Sequence, residues 1–208
     1  VFRQNDSYGQ AGLDGVLRAL SAQGLEPVAV GTVERNSVDV AAAVRAIVPR
    51  EPHAVVQISA YKSCAAFVRE ARKAGYGGTF YNVSFVGSQA LADELGKEGR
   101  GVMISQVMPH PQSTTTGVTR DYLDALKRAG SSTQANYSSI EGYVAARVFT
   151  EGLRRAGRTL TRDGLVSALE QMSRLDLGGF ALGFSPRNHA GSNFVELTVL
   201  TEDGKVRR

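Results

Sequence analysis

The chain has 208 residues, 42% of them hydrophobic and 21% charged, with a formal net charge of +4. These values fit an ordinary globular chain of one large or two small domains and exclude disordered, fibrous and strongly polybasic classes. No apolar run reaches the roughly 20 residues that a helical bilayer span needs, and the single cysteine, Cys64, leaves no disulfide frame and no thiolate metal site.

The chain opens on Val1-Phe2, strand-forming residues, followed by the polar turn Asn5-Asp6-Ser7. From Tyr8 to Gln23 the pattern is helical, with Leu13, Val16, Leu17 and Leu20 on one face and Gly24 as the stop. Pro27 to Val33 is an apolar run that reads as a strand. Val40 to Val48 is a helix ended by prolines, and Ala54 to Ser59 is a buried strand. Lys62 to Ala74 reads as an amphipathic helix, Thr79 to Val83 as a strand, Gly87 to Leu95 as a short helix and Val102 to Val107 as a fifth strand. Strands alternating with helices predict βαβ units on a parallel sheet. The first strand has no lead-in, as if the chain had been cut from something longer.

At Pro109-His110-Pro111 the texture changes. Three helices follow with no strand between them, over 118–129, 137–156 and 161–172, and their apolar faces need a sheet or a partner to cover them. Two strands, Phe180 to Phe184 and Asn193 to Leu200, then flank a turn-rich stretch, and a turn at Glu202-Asp203-Gly204-Lys205 closes the chain. The texture of the chain thus changes at about residue 109 and again at about residue 177.

Little in the sequence carries chemistry. His53, His110 and His189 lack ligand spacing, so no metal is expected. There is no Gly-x-Ser-x-Gly elbow, no Walker sequence and no cofactor glycine loop after a strand. Gly75-Tyr76-Gly77-Gly78 is a helix stop at the wrong end of the sheet for phosphates. The Arg and Lys groups sit near helix C-termini, where they favour the macrodipole, and do not form a nucleic-acid stripe. What remains are polar and aromatic residues where strands end: Asp6, Ser7 and Tyr8; Ser59 and Tyr61; Asn82, Ser84 and Phe85; Gln106 and Met108. In open α/β sheets such residues gather along one edge, and tyrosines suit a small-ligand pocket there.

Five stretches in this order carry a resemblance: Gln4-Asn5-Asp6-Ser7-Tyr8-Gly9, Val33 to Val40, Ala60-Tyr61-Lys62, Phe80 to Gly87, and Ser138 to Tyr143. Together the chain resembles the substrate-binding proteins of ATP-binding-cassette importers of the branched-chain amino acid type. The resemblance implies a type I periplasmic binding protein fold in which two α/β lobes close on a ligand. It implies an α/β lobe over 1–108, a helical segment of an incomplete first lobe over 109–176 and strands returning to the α/β lobe over 177–208, in a chain lacking the N-terminal portion that supplies the first lobe's sheet, with residues 118–172 as uncovered helices that would self-associate. It also implies an exported, periplasmic, non-enzymatic protein without a cofactor or nucleic-acid partner, serving a membrane permease. Ligand contacts carry over to Tyr8 and Tyr61, with Ser84, Asn82, Phe85, Ser7 and Asp6 beside them. Where amino-acid binders of this family place a carboxylate for the ligand's ammonium, this sequence has Ser84, which implies an organic acid, aromatic acid or amide in place of a free amino acid. The effector domain of a transcription repressor or receptor shares the architecture and is the competing reading.

Overall fold

The structure, a computed structural model, describes residues 1–130, 132 and 134–208. In chain order its elements are β1 (Phe2–Gln4), α1 (Ser7–Ser21), β2 (Gly31–Val33), α2 (Ala41–Ile47), β3 (Ala54–Ile58), α3 (Tyr61–Lys73), β4 (Thr79–Asn82), α4 (Ser88–Leu95), β5 (Met103–Gln106), α5 (Gly117–Arg128), α6 (Tyr137–Ala156), α7 (Arg162–Glu170), β6 (Leu175–Asp176), β7 (Ala181–Leu182), β8 (Glu196–Leu200) and β9 (Val206–Arg207). They form two compact units. The first is Val1–Gln106 with Leu197–Arg208, and the second is Val107–Glu196.

The first unit is built on a sheet of order β2-β1-β3-β4-β5-β8-β9. Strands β1 to β5 pair in parallel and β8 pairs antiparallel with β9. Alternate residues of a strand point to opposite faces, and the two faces here carry different cores. On one, Phe2, Val33, Val55, Phe80 and Ile104 pack with Ala43 and Ile47 of α2, Phe67 and Val68 of α3, and Leu91 and Leu95 of α4. Phe2 and Phe67 stack at 4.3 Å between ring centroids, and Phe67 meets Phe80 edge-on; such pairs add about 0.5–1.5 kcal/mol each beyond buried area. On the other face Val1 and Ile58 pack with Leu13 of α1, joined by Tyr8, Val16, Val56 and Val83. The expected parallel α/β sheet is therefore present.

The helix limits follow local signals. Asp6 caps α1, Asn136 caps α6 and Thr161 caps α7, each side chain accepting from a backbone N–H in the first turn. The strand expected over Pro27 to Val33 is shorter: only Gly31–Val33 pairs, and Val28 and Val30 stay exposed.

In the second unit α5, α6 and α7 are accompanied by a two-stranded antiparallel sheet of β6 and β7. Val118, Tyr122, Ile140 and Val144 bury against Leu177, Phe180 and Leu182. The helices are thus covered in part by a hairpin that their own apolar pattern does not announce. This packing also moves the boundary from the expected one. Residues 177–196 belong with the helices, because Gly178 lies against Gly117 so closely that a Cβ on either would meet backbone atoms at 2.8–2.9 Å. Asp176 Oδ1 holds that corner by accepting from the N–H groups of Gly178 and Gly179.

Candidate functional site

From β1 the chain runs through α1 to β2 on one side; from β3 it runs through α3 to β4 on the other. The loops leaving the carboxyl ends of β1 and β3 therefore diverge. That divergence marks a topological switch point, the place where open parallel sheets bind ligands.

On the β1 side, Asp6 is bonded within its own turn, to one backbone N–H and one side-chain amide. One carboxylate oxygen accepts from Gly9 N–H at 3.0 Å and the other accepts from the Gln4 amide. These two bonds, the Gly9 N–H first, hold its carboxyl below the usual carboxylate range, with Arg35 adding to the effect. Ser7 is the exposed first residue of α1. Tyr8 is half-buried, with its ring centroid 4.7 Å from that of Phe85 and the ring planes 48° apart. Its hydroxyl is buried and has no hydrogen-bond partner among the described residues. Burial pushes the phenol up to about 12, helped by the neighbouring Cys64 and Asp6, so it is a proton donor at any physiological pH.

On the β4 side, Asn82 is 2% exposed and its amide is spent within the sheet: Oδ1 accepts from Gln57 Nε2 at 3.3 Å and Nδ2 donates to the Met103 carbonyl at 3.4 Å. These bonds tie the end of β4 to β3 and β5. Residues Ser84–Val86 form a 3₁₀ turn leading to α4. Ser84 is half-buried there, whereas Phe85 is 70% exposed. Tyr61 opens α3 and packs against the larger core, with Lys62 Nζ 6.0 Å from its ring centroid.

The structure thus brings Tyr8 and Phe85 together with Ser84 adjacent, leaves Ser7 at the rim, and turns Asp6 and Asn82 inward to structural bonds. Two further groups lie in and just after β3: Gln57, which was not singled out, and Ser59, which was named at the strand's end. Gln57 Oε1 and Ser59 Oγ, both in fully buried residues, have no partner among the described residues. The signal for Gln57 is a polar residue interrupting the apolar strand Ala-Val-Val-Gln-Ile. Chemically the carboxyl edge of the sheet offers neutral hydrogen-bonding groups and aromatic surface. Among the described residues there is no group of three or more His, Cys, Asp or Glu that could hold a metal ion.

A mostly parallel α/β sheet with this switch point has the type I periplasmic binding protein fold. A sequence profile described as periplasmic binding protein matches residues 1–205, and the chain belongs to that family. It is similar to the structure of a possible leucine/isoleucine/valine-binding protein from Rhodopirellula baltica, with 30% identity, a TM-score of 0.89, and coverage of 100% of this chain and 58% of that one. It is also similar to a substrate-binding periplasmic protein from Ralstonia solanacearum, with 30% identity, a TM-score of 0.88, and coverage of 99% and 59%. An extracellular ligand-binding receptor from Verminephrobacter eiseniae shares 27% identity at a TM-score of 0.81, over 100% and 59%. The chain therefore spans less than two thirds of the length of these relatives. No curated protein matches it.

Proposed function

We propose that this chain belongs to the solute-binding component of an ATP-binding-cassette importer, which captures a small organic molecule in the periplasm and presents it to a membrane permease. Family membership and the substrate-binding descriptions of its relatives support this reading. The observation that carries it is Tyr8, whose hydroxyl is buried without a partner at the carboxyl edge of the sheet. Buried polar groups are normally satisfied, and a captured solute would supply the missing acceptor. The work is capture without bond-making: a ligand shifts the protein toward whichever conformation it binds best, and the permease reads that conformation.

In this reading Tyr8, Ser84 and Phe85 contact the ligand, with Tyr61 and Ser7 at the margins, while Asp6 and Asn82 hold the loops in place. Ser84 carries no charge to offset a ligand ammonium, and burying an unpaired ammonium costs several kcal/mol. The solute is therefore an organic acid, aromatic acid or amide. Titration calorimetry on the full-length gene product tests both parts. Binding of a simple carboxylate or amide with no response to leucine or valine is expected; tight leucine binding would overturn the assignment at Ser84.

A further inference from the structure

The two ends of the seven-stranded sheet are built differently. At one end stands β9, two residues long and set among Lys205, Arg207 and Arg208. A very short strand flanked by cations resists pairing with another chain. At the other end stands β2, which has no such protection: the stretch Pro27-Val28-Ala29-Val30-Gly31-Thr32-Val33 carries no charge. Its inner side is committed to β1. The Val1 amino group donates to Ala29 O at 2.7 Å, Gly31 N–H to Val1 O at 2.9 Å and Asn5 N–H to Val33 O at 2.8 Å. Along a strand the backbone polar groups of alternate residues point to opposite edges. Val30 and Thr32 therefore turn theirs outward, and an edge strand of this kind is a template for a further strand. Their side chains are open as well. Gly31 lies against α2, where a Cβ would stand 2.9 Å from Ala43 Cα, so Val30 and Thr32 point to the opposite face. On that face α1 packs against Val1 and Ile58 through Leu13, and Val30 remains 41% exposed.

We propose that β2 pairs antiparallel with the β2 of a second copy of this chain, joining the two sheets across a two-fold axis at Gly31. That axis sets Val30 of each copy opposite Thr32 of the other, matching outward-turned backbone groups and pairing β-branched side chains on one face. Charge selects the antiparallel arrangement. Glu26 precedes the uncharged stretch and Arg35 follows it, and neither is in an ion pair among the described residues. Glu34 is taken by Asn5 Nδ2, which donates to it at 2.7 Å. Antiparallel pairing brings Glu26 of each copy to the end that carries Arg35 of the other, whereas parallel pairing sets like charges together. The contact is isologous and closes at a dimer. It does not depend on what the protein captures.

Sedimentation velocity of the full-length gene product over a concentration series tests the pairing, and a monomer–dimer equilibrium is expected. Val30→Lys sets two ammonium groups at the centre of the contact and should leave monomer only. Since Val30 is exposed in the single copy, the variant's melting temperature should match that of the dilute parent, which separates lost pairing from lost folding. Glu26→Arg and Arg35→Glu should each weaken dimerisation by about 2- to 30-fold, and together restore it to within about 3-fold of the parent. A monomer throughout the series, as when another part of the full-length chain covers the edge, would overturn the pairing. So would a dimer that survives Val30→Lys, or charge changes whose effects add instead of cancelling.

Discussion

Tyr8 shows what a single orphaned group implies. Its hydroxyl is desolvated and unpaired in the folded chain, so removing it should help the fold and harm binding. Tyr8→Phe is expected to stabilise the protein without ligand by about 1 kcal/mol and to weaken ligand binding by roughly 5- to 10-fold. A thermal melt and a titration on the same sample check the two signs against each other. The phenol also gives a pH signature. Its folded value is raised to about 12 from 10.0. Below about pH 10 both states keep the proton and stability does not depend on it. Between about pH 10 and 12 the unfolded chain ionises while the folded one does not, so stability falls as pH rises. For a half-exposed ring, solvent screening reduces the effect to about 1 kcal/mol. Urea unfolding on either side of that window should show the loss in the parent and a smaller loss in Tyr8→Phe. Asp6 and Asn82 teach the opposite lesson. Both stand at strand ends, where a sequence reading looks for ligand contacts, yet the helix N-terminus and the neighbouring strands claim their polar atoms. Position along the chain was legible in the sequence; competition from the backbone was not.

At the scale of elements, the turn from β1 into α1 is the tightest part of the site. A Cβ at Gly9 would stand 1.9 Å from the Gln4 carbonyl oxygen and 2.8 Å from its carbon. Those are backbone atoms, so Gly9→Ala must separate strand from helix. A loss of at least about 3 kcal/mol by urea unfolding is expected. Gly15→Ala in the same helix is the control: a Cβ there meets nothing within 4 Å, and the variant should gain up to about 1 kcal/mol. Helices were largely legible because their ends carry their own chemistry: Asp6 and Thr161 as caps, and Gly24 and Gly75 at φ of +68° and +89° as stops. Strands were less legible because their length depends on the neighbour. The apolar run from Pro27 looks like seven residues of strand, but β1 offers only Phe2, Arg3 and Gln4 as partners, so pairing begins at Gly31. Of the small hairpin, β7 falls inside the strand expected over Phe180 to Phe184, while β6 escaped notice for a related reason: a two-residue strand is too short to show alternation.

At the scale of the whole molecule, the first unit is completed by residues from the far end of the chain. Leu200 is buried in the core of α2, α3 and α4, and its N–H donates to the Val102 carbonyl at 2.8 Å. Beside it Thr198 joins two segments 92 residues apart in sequence: its Oγ1 accepts from Gln106 Nε2 at 2.9 Å and donates to the Ile104 carbonyl at 3.0 Å. The same amide also donates to Ser88 Oγ at 2.8 Å, so Gln106 links β5, α4 and β8 at the carboxyl end of β5. The return expected at residue 177 came from the resemblance; it is the second of the two expected strands, Asn193 to Leu200, whose end rejoins the first unit from Leu197. If β8 is integral to this unit, Thr198→Val should destabilise it by about 1–2 kcal/mol, because a buried amide donor and a carbonyl each lose a partner. Pairing it with Gln106→Leu in a double-mutant cycle should return a coupling of about 0.5–1.5 kcal/mol. Were residues 1–106 self-sufficient and β8 merely appended, the two substitutions would add without coupling, and unfolding of the sheet would be indifferent to Thr198.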